Sequence, residues 1–311
     1  MIGLLIYFST FFNLYPIDPV SLRLLTDDSD VIAVVEVLET GKNPESNPKR
    51  DYRIPSHIAT LKVKKIIKGG EISSQMNVGY SGNMLCPSPA NFEVGELQLV
   101  FLVESDDDRY RSTALSYGTP HLEGKKLTAY IAAVEKRLVI MGIEDEKEHK
   151  AADRQWILDL TLDPLTRHEG ILELNPERYL PTGSSKGKWS YSFNQFSLTQ
   201  QNKLIEAVLG CADFDYEAQG FYKVVASSPD PRLTEWLKTR ISKASGYFFQ
   251  RHTGEWLLKL LERQENPEAR EFLEEQWPKT ESGSGRVYYY FSGTDEEELK
   301  AIADFLQLFD D

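Results

Sequence analysis

Apolar runs along the first 140 residues are short and separated by polar breaks. "DVIAVVEVLETGK" (Asp30–Lys42) is β-branched and apolar apart from Glu36, which predicts a mostly buried strand. The three prolines of "NPESNPKRDYRIPS" (Asn43–Ser56) predict a long loop, because proline cannot join the interior of a ladder. A second strand begins at His57. Ala59, Leu61 and Val63 fall on one side of it, and Thr60, Lys62 and Lys64 on the other. The alternation breaks at Ile66-Ile67, as at a β-bulge or a strand end, and Gly69-Gly70 supplies the backbone freedom for a turn. "QMNVGYS" is a third strand and "LQLVFLVES" (Leu97–Ser105) the most apolar one. A short fifth strand follows the acidic turn Asp106–Asp108. "AYIAAVEKRLVIMG" carries apolar residues at helical spacing and closes the domain. Five short strands with long connections predict a small closed or partly closed, OB-like β-barrel.

From about Glu144 the period changes to 3.6. "EHKAADRQWILDLTL" places Ala152, Trp156, Ile157 and Leu160 on one face. "LTQQNKLIEAVLG" predicts a helix capped at Thr199 and ended by Gly210. Five further amphipathic segments follow. Three turns share a form: Asp163-Pro164 with Arg167, Ser228-Pro229 with Arg232, and Asn266-Pro267 with Arg270. A capping residue before proline is a common helix start. Its recurrence also suits HEAT-like stacking of helical pairs. The predicted fold class is therefore α+β, a five-stranded OB-like barrel followed by a HEAT-like α-helical domain. The expected parts are an apolar N-terminal segment (1–26), the barrel domain (27–143) and the helical domain (144–311).

Composition narrows the function classes. The chain has 311 residues and a formal charge of −13. Residues 1–150 carry 17 basic and 21 acidic side chains, and residues 151–311 carry 18 and 27, so both parts are acidic. Neither part offers the basic footprint that drives nucleic-acid binding, so no nucleic-acid partner is expected. A basic protein or peptide suits this charge better. "MIGLLIYFSTFFNLYPIDP" is too short for a membrane span, and no stable span is expected. The length suits a signal-peptide core, but no Lys or Arg precedes Arg23 and no Ala-x-Ala site follows. An N-terminal segment packed on the first domain is the other reading. Cys86 and Cys211 are two isolated cysteines. They read as buried thiols, or as one long-range disulfide if the chain is exported.

The order "DSDVIAVVEVLE", Pro-rich loop, "ATLKVKKIIKGGE", "CPSPANFEVGELQLVFLV", "YRSTALSYGTPHLEG" resembles the netrin-like barrel of the tissue inhibitors of metalloproteinases, over about residues 27–125. That resemblance implies an OB-type barrel, and it favours a secreted, periplasmic or cell-envelope location over a cytoplasmic one. The family presents an N-terminal Cys-x-Cys to its target's zinc. This chain has no cysteine before Cys86, which argues against inhibition in that manner.

A search for chemistry finds no complete motif. His168-Glu169 resembles the start of a zinc-protease helix, but Leu172 stands where the second histidine belongs. The acidic runs Asp27–Asp30 and Asp106–Asp108 lack EF-hand spacing. No phosphate-binding glycine loop or G-x-S-x-G elbow occurs. The expected protein is a non-enzymatic interaction module without cofactor or metal. The aromatic run Tyr288-Tyr289-Tyr290-Phe291 is the candidate contact, unless it packs between helices. Two alternatives are carried forward. One is a hydrolase or metal-dependent enzyme assembled from distant residues, with His121, His168 and Cys86 as members. The other is a protease-inhibitor-like module acting through a loop.

Overall fold

Two strands of the chain, β1 (Val31–Lys42) and β4 (Leu97–Glu104), are buried on both faces over most of their length. In the computed structural model, Val31, Ala33, Val35 and Val37 share a core with Val100 and Leu102, lined also by Ala59, Leu61, Met76, Val78 and Phe92. Their alternate neighbours Ile32, Val34, Leu99 and Phe101 are buried as well. They lie on the outer face, where helices α1 (Leu22–Asp28) and α2 (Gly124–Met141) pack over the strands. This is why both sequences run apolar without alternation, whereas a strand wetted on one side must alternate. The structure describes residues 20–46, 54–82, 88–105, 109–174, 191–211, 216–243, 253–281, 287–289, 291 and 295–309.

With β2 (His57–Lys68), β3 (Gln75–Tyr80) and β5 (Tyr110–Ser112), the strands close a ring in the order β1-β2-β3-β5-β4. The β3–β5 pair is parallel and the others antiparallel. Closure leaves no free edge to template aggregation. In the β1–β2 ladder, Ile32 faces Lys68 and Ala33 faces Ile66, so Ile67 is the extra residue of a bulge. The phase break in the sequence is that bulge. The Lys-Gly pair after it has two tasks. Lys68 Nζ donates to the carbonyls of Thr26 (2.8 Å) and Asp27 (3.0 Å), satisfying the last turn of α1. Gly69 sits at φ +121°, where a side chain would be strained.

Helix α1 starts inside the expected N-terminal segment. Ser21 caps it and Leu22, Arg23, Leu25 and Thr26 are buried, so the ordered fold starts before residue 27. Residues 1–19 lie outside the described residues. The last barrel strand ends at Ser112, and α2 follows it to Met141. The compact units, however, are Met1–Ser190 and Tyr191–Asp311. Helices α3 (Glu146–Leu162) and α4 (Arg167–Leu174) belong with the barrel because they are bonded to α2. Trp156 Nε1 donates to Ala133 O at 2.9 Å, and Asp153 pairs with Arg137. Helix α4 meets α3 through Gly170, where an added Cβ would lie 2.2 Å from Thr161 Oγ1 and 2.5 Å from its amide nitrogen.

The second unit comprises α5 (Leu198–Leu209), α6 (Tyr216–Val225), α7 (Pro231–Lys243), α8 (Thr253–Arg263), α9 (Pro267–Gln276), the hairpin β6 (Lys279–Glu281) and β7 (Val287–Tyr289), and α10 (Asp295–Gln307). Phe221, Tyr222, Leu237, Trp256, Leu260, Trp277 and Phe305 are buried in it. The chain makes a succession of helix pairs, and α10 returns to pack on both α9 and α7. The cap of α5 is Ser197, two residues before the expected Thr199; its hydroxyl accepts from the Gln200 amide in a capping box. The three proline turns also diverge. Asn266-Pro267 is a capped helix start as expected, with Asn266 Oδ1 accepting from Ala269 N at 3.0 Å. In the second, Pro231 is the first helical residue, and Asp230 accepts from Arg232 N. In the first, Asp163-Pro164 makes a turn before α4 starts at Arg167.

Candidate functional site

One strongly charged surface is on α9. Ala269 and Leu273 turn this helix's apolar side inward. Its ends are tied to α10 and the residues after it. Asn266 Nδ2 donates to Leu308 O at 2.6 Å, and the buried Trp277 Nε1 donates to Glu298 Oε1 at 3.0 Å. The opposite side is acidic and exposed, with Glu268, Glu271, Glu274 and Glu275 on the helix and Glu265 just before it. Glu265, Glu271, Glu274 and Glu275 line a surface hollow with Arg270 and Pro267. Among the described residues, no ion pair joins these glutamates. Glu271 with Glu275, and Glu268 with Glu271, are neighbours on the helix surface. Such like-charge pairs each cost a few tenths of a kcal/mol (~0.2–0.5). The helix carries a repulsion that a cationic partner would relieve.

A second constellation lies on the loops of the barrel unit. Glu93, Glu96 and His121 bring one ligand atom each within 4.8 Å of one another. Glu96 N donates to Glu93 O at 3.1 Å, closing a turn with Gly95 at φ +89°. Glycine at the third position tolerates that angle, and the turn sets both carboxylates side by side. Asn91 N donates to Thr119 Oγ1 at 3.0 Å, which joins this loop to the segment carrying His121. His121 was expected as a member of an assembled site. Glu93 and Glu96 were not, although the spacing of "EVGE" was a local signal for them.

His168 belongs to no such group of ligand atoms among the described residues. It is exposed at the start of α4, and its neighbour Glu169 turns into a buried polar network. Glu169 accepts from Leu22 N and Tyr130 Oη, both at 2.9 Å. Arg137 donates to Asp27 through Nε (2.8 Å) and Nη2 (2.6 Å), and to Asp153 through Nη1 (2.9 Å). Arg23 reaches Asp153 at 3.3 Å and Glu173 at 3.1 Å. Burial pushes the Glu169 and Glu173 carboxyls above their ordinary range, against the pull of His168 and Tyr130 on the first and Arg23 on the second. Burial alone would lower the Arg137 value; Asp27, then Asp153 and Glu173, more than offset it. These groups face one another, and they fasten α1, α2, α3 and α4 together.

Of the aromatic run, Tyr288 and Tyr289 lie in β7, paired with Thr280 and Lys279. Tyr290 lies outside the described residues. Phe291 is half-buried with its ring 5.3 Å from that of Trp277. Cys86 also lies outside the described residues. Cys211 is half-buried, and its Sγ donates to Ala207 O at 3.5 Å. No described helix is long and apolar enough to cross a membrane. No family model matches the chain, and no curated protein is similar enough to count as a relative.

Proposed function

We propose that the protein is a non-enzymatic interaction module that captures a basic protein or peptide through the acidic face of α9. The observation that carries this reading is the set of exposed glutamates around the hollow at Glu265–Glu275, with Arg270 the one cation among its lining residues. Charge complementarity of this kind steers association and fixes partner choice. The barrel unit serves as a closed scaffold. The netrin-like reading of that barrel, the HEAT-like reading of the helices and the location outside the cytoplasm belong to the same proposal. Phe291 and the tyrosines before it are a second contact candidate.

The test is fluorescence polarisation of a labelled lysine-rich peptide against the full chain. Each exposed ion pair contributes up to about 1 kcal/mol, so Glu271→Gln, Glu274→Gln and Glu275→Gln together should weaken binding about tenfold or more. Affinity should also fall as salt rises. Binding that is indifferent to the triple variant refutes the assignment to α9.

A further inference from the structure

We infer that Glu93, Glu96 and His121 form a surface site for one divalent transition-metal ion of the zinc class. The argument starts from the two ring nitrogens. His121 Nε2 lies 3.2 Å from Glu123 Oε1, and Nδ1 lies 3.7 Å from Glu96 Oε2. With the proton on Nε2 and donated to Glu123, the Nδ1 lone pair faces a carboxylate oxygen. Two acceptors then oppose each other across a gap. A cation between them turns that repulsion into two attractive contacts. A carboxylate that holds the far N–H of a ligating imidazole is the usual support of a metal-bound histidine, because it fixes the tautomer and raises ligand basicity.

An independent observation comes from Gln98, at the start of β4. It is only 3% exposed, and its Nε2 lies 3.4 Å from Glu96 Oε2. Its Oε1 is buried and has no hydrogen-bond partner among the described residues. A buried amide oxygen without a partner costs on the order of 1–3 kcal/mol. The Gln98 amide donates to the same carboxylate oxygen that faces His121 Nδ1, and so holds Glu96 in place behind the site.

The donor set selects the metal. Two carboxylates and an imidazole form a mixed oxygen–nitrogen site. The imidazole favours zinc and its transition-metal neighbours over calcium and magnesium, which prefer oxygen alone. Three protein ligands on an exposed loop leave a coordination position for water or a partner's side chain.

The experiment is isothermal titration of zinc chloride into the metal-stripped full chain near neutral pH, with calcium chloride in parallel. The intact chain should take up one more equivalent of zinc than His121→Ala does. Glu96→Gln should weaken that equivalent at least tenfold, and calcium should not compete for it. His121 is exposed, so its replacement leaves the fold intact, and circular dichroism checks this. Equal zinc uptake by the intact chain and His121→Ala overturns the site. So does an absence of saturable binding. Calcium binding as tight as zinc overturns the choice of metal.

Discussion

Removing Arg137 should unfasten the helices that cover the barrel. Its side chain is 5% exposed and Asp153's is 1% exposed. Arg137 and Arg23 serve the three carboxylates of Asp27, Asp153 and Glu173. Arg137→Leu leaves Arg23 alone with Asp153 and Glu173, and it strips Asp27 of both its bonds to the guanidinium. Breaking a buried ion pair from one side costs about 3–5 kcal/mol, because a charge is left without compensation. That is a large share of the roughly 5–15 kcal/mol that holds a typical protein folded. Arg137→Lys keeps the charge but loses the planar fork, and should cost less. The assay is urea unfolding with hydrogen exchange read on α1 to α4, which separates this unit from the helical one. The double variant Arg137→Leu/Asp153→Leu provides the decisive comparison. Removing Asp153 as well removes the buried carboxylate that Arg23 would otherwise have to share with Glu173, so it should recover part of the loss. A cost below about 1 kcal/mol for Arg137→Leu, or strictly additive losses in the double variant, would refute the reasoning.

Two further outcomes are expected. Gly170→Val places its Cβ within 2.2 Å of Thr161 Oγ1 and against the Thr161 backbone. It should cost at least about 1–3 kcal/mol, seen as a lower melting temperature of the barrel unit, and Gly170→Ala should show a smaller loss of the same sign. Glu173→Gln should raise stability relative to the native chain near neutral pH. Burial raises the folded-state value of Glu173, so between its ordinary value of 4.5 and that raised value the native state holds a proton that the unfolded chain has released. Stability falls as pH rises through this window. The advantage of Glu173→Gln should therefore shrink as pH is lowered toward about 4, where Glu173 is protonated in both states, and melting curves of both proteins across that range check the sign.

What the sequence determined by itself was local. The β-branched runs fixed the strands, the Ile66-Ile67 phase break marked the bulge, and proline with asparagine marked the start of α9. Each of these follows from side-chain periodicity or backbone restriction within a few residues. The closed five-stranded barrel was also legible, because short strands with long connections leave few other arrangements. The tertiary structure decided what depends on distance. The helices α3 and α4 follow the barrel, although their period groups them with the later helices, because buried Arg–Asp pairs bind them to α2. Glu169 looked like part of a metal motif and is a part-buried link between α1, α2 and α4. The glutamates at 93 and 96 gained a meaning only when the turn at Gly95 and the bond from Asn91 to Thr119 brought His121 to them. Periodicity reports which face of an element is wet. It carries no information about which residues meet across more than a few turns of chain, and both the polar network and the candidate metal site are made of such meetings.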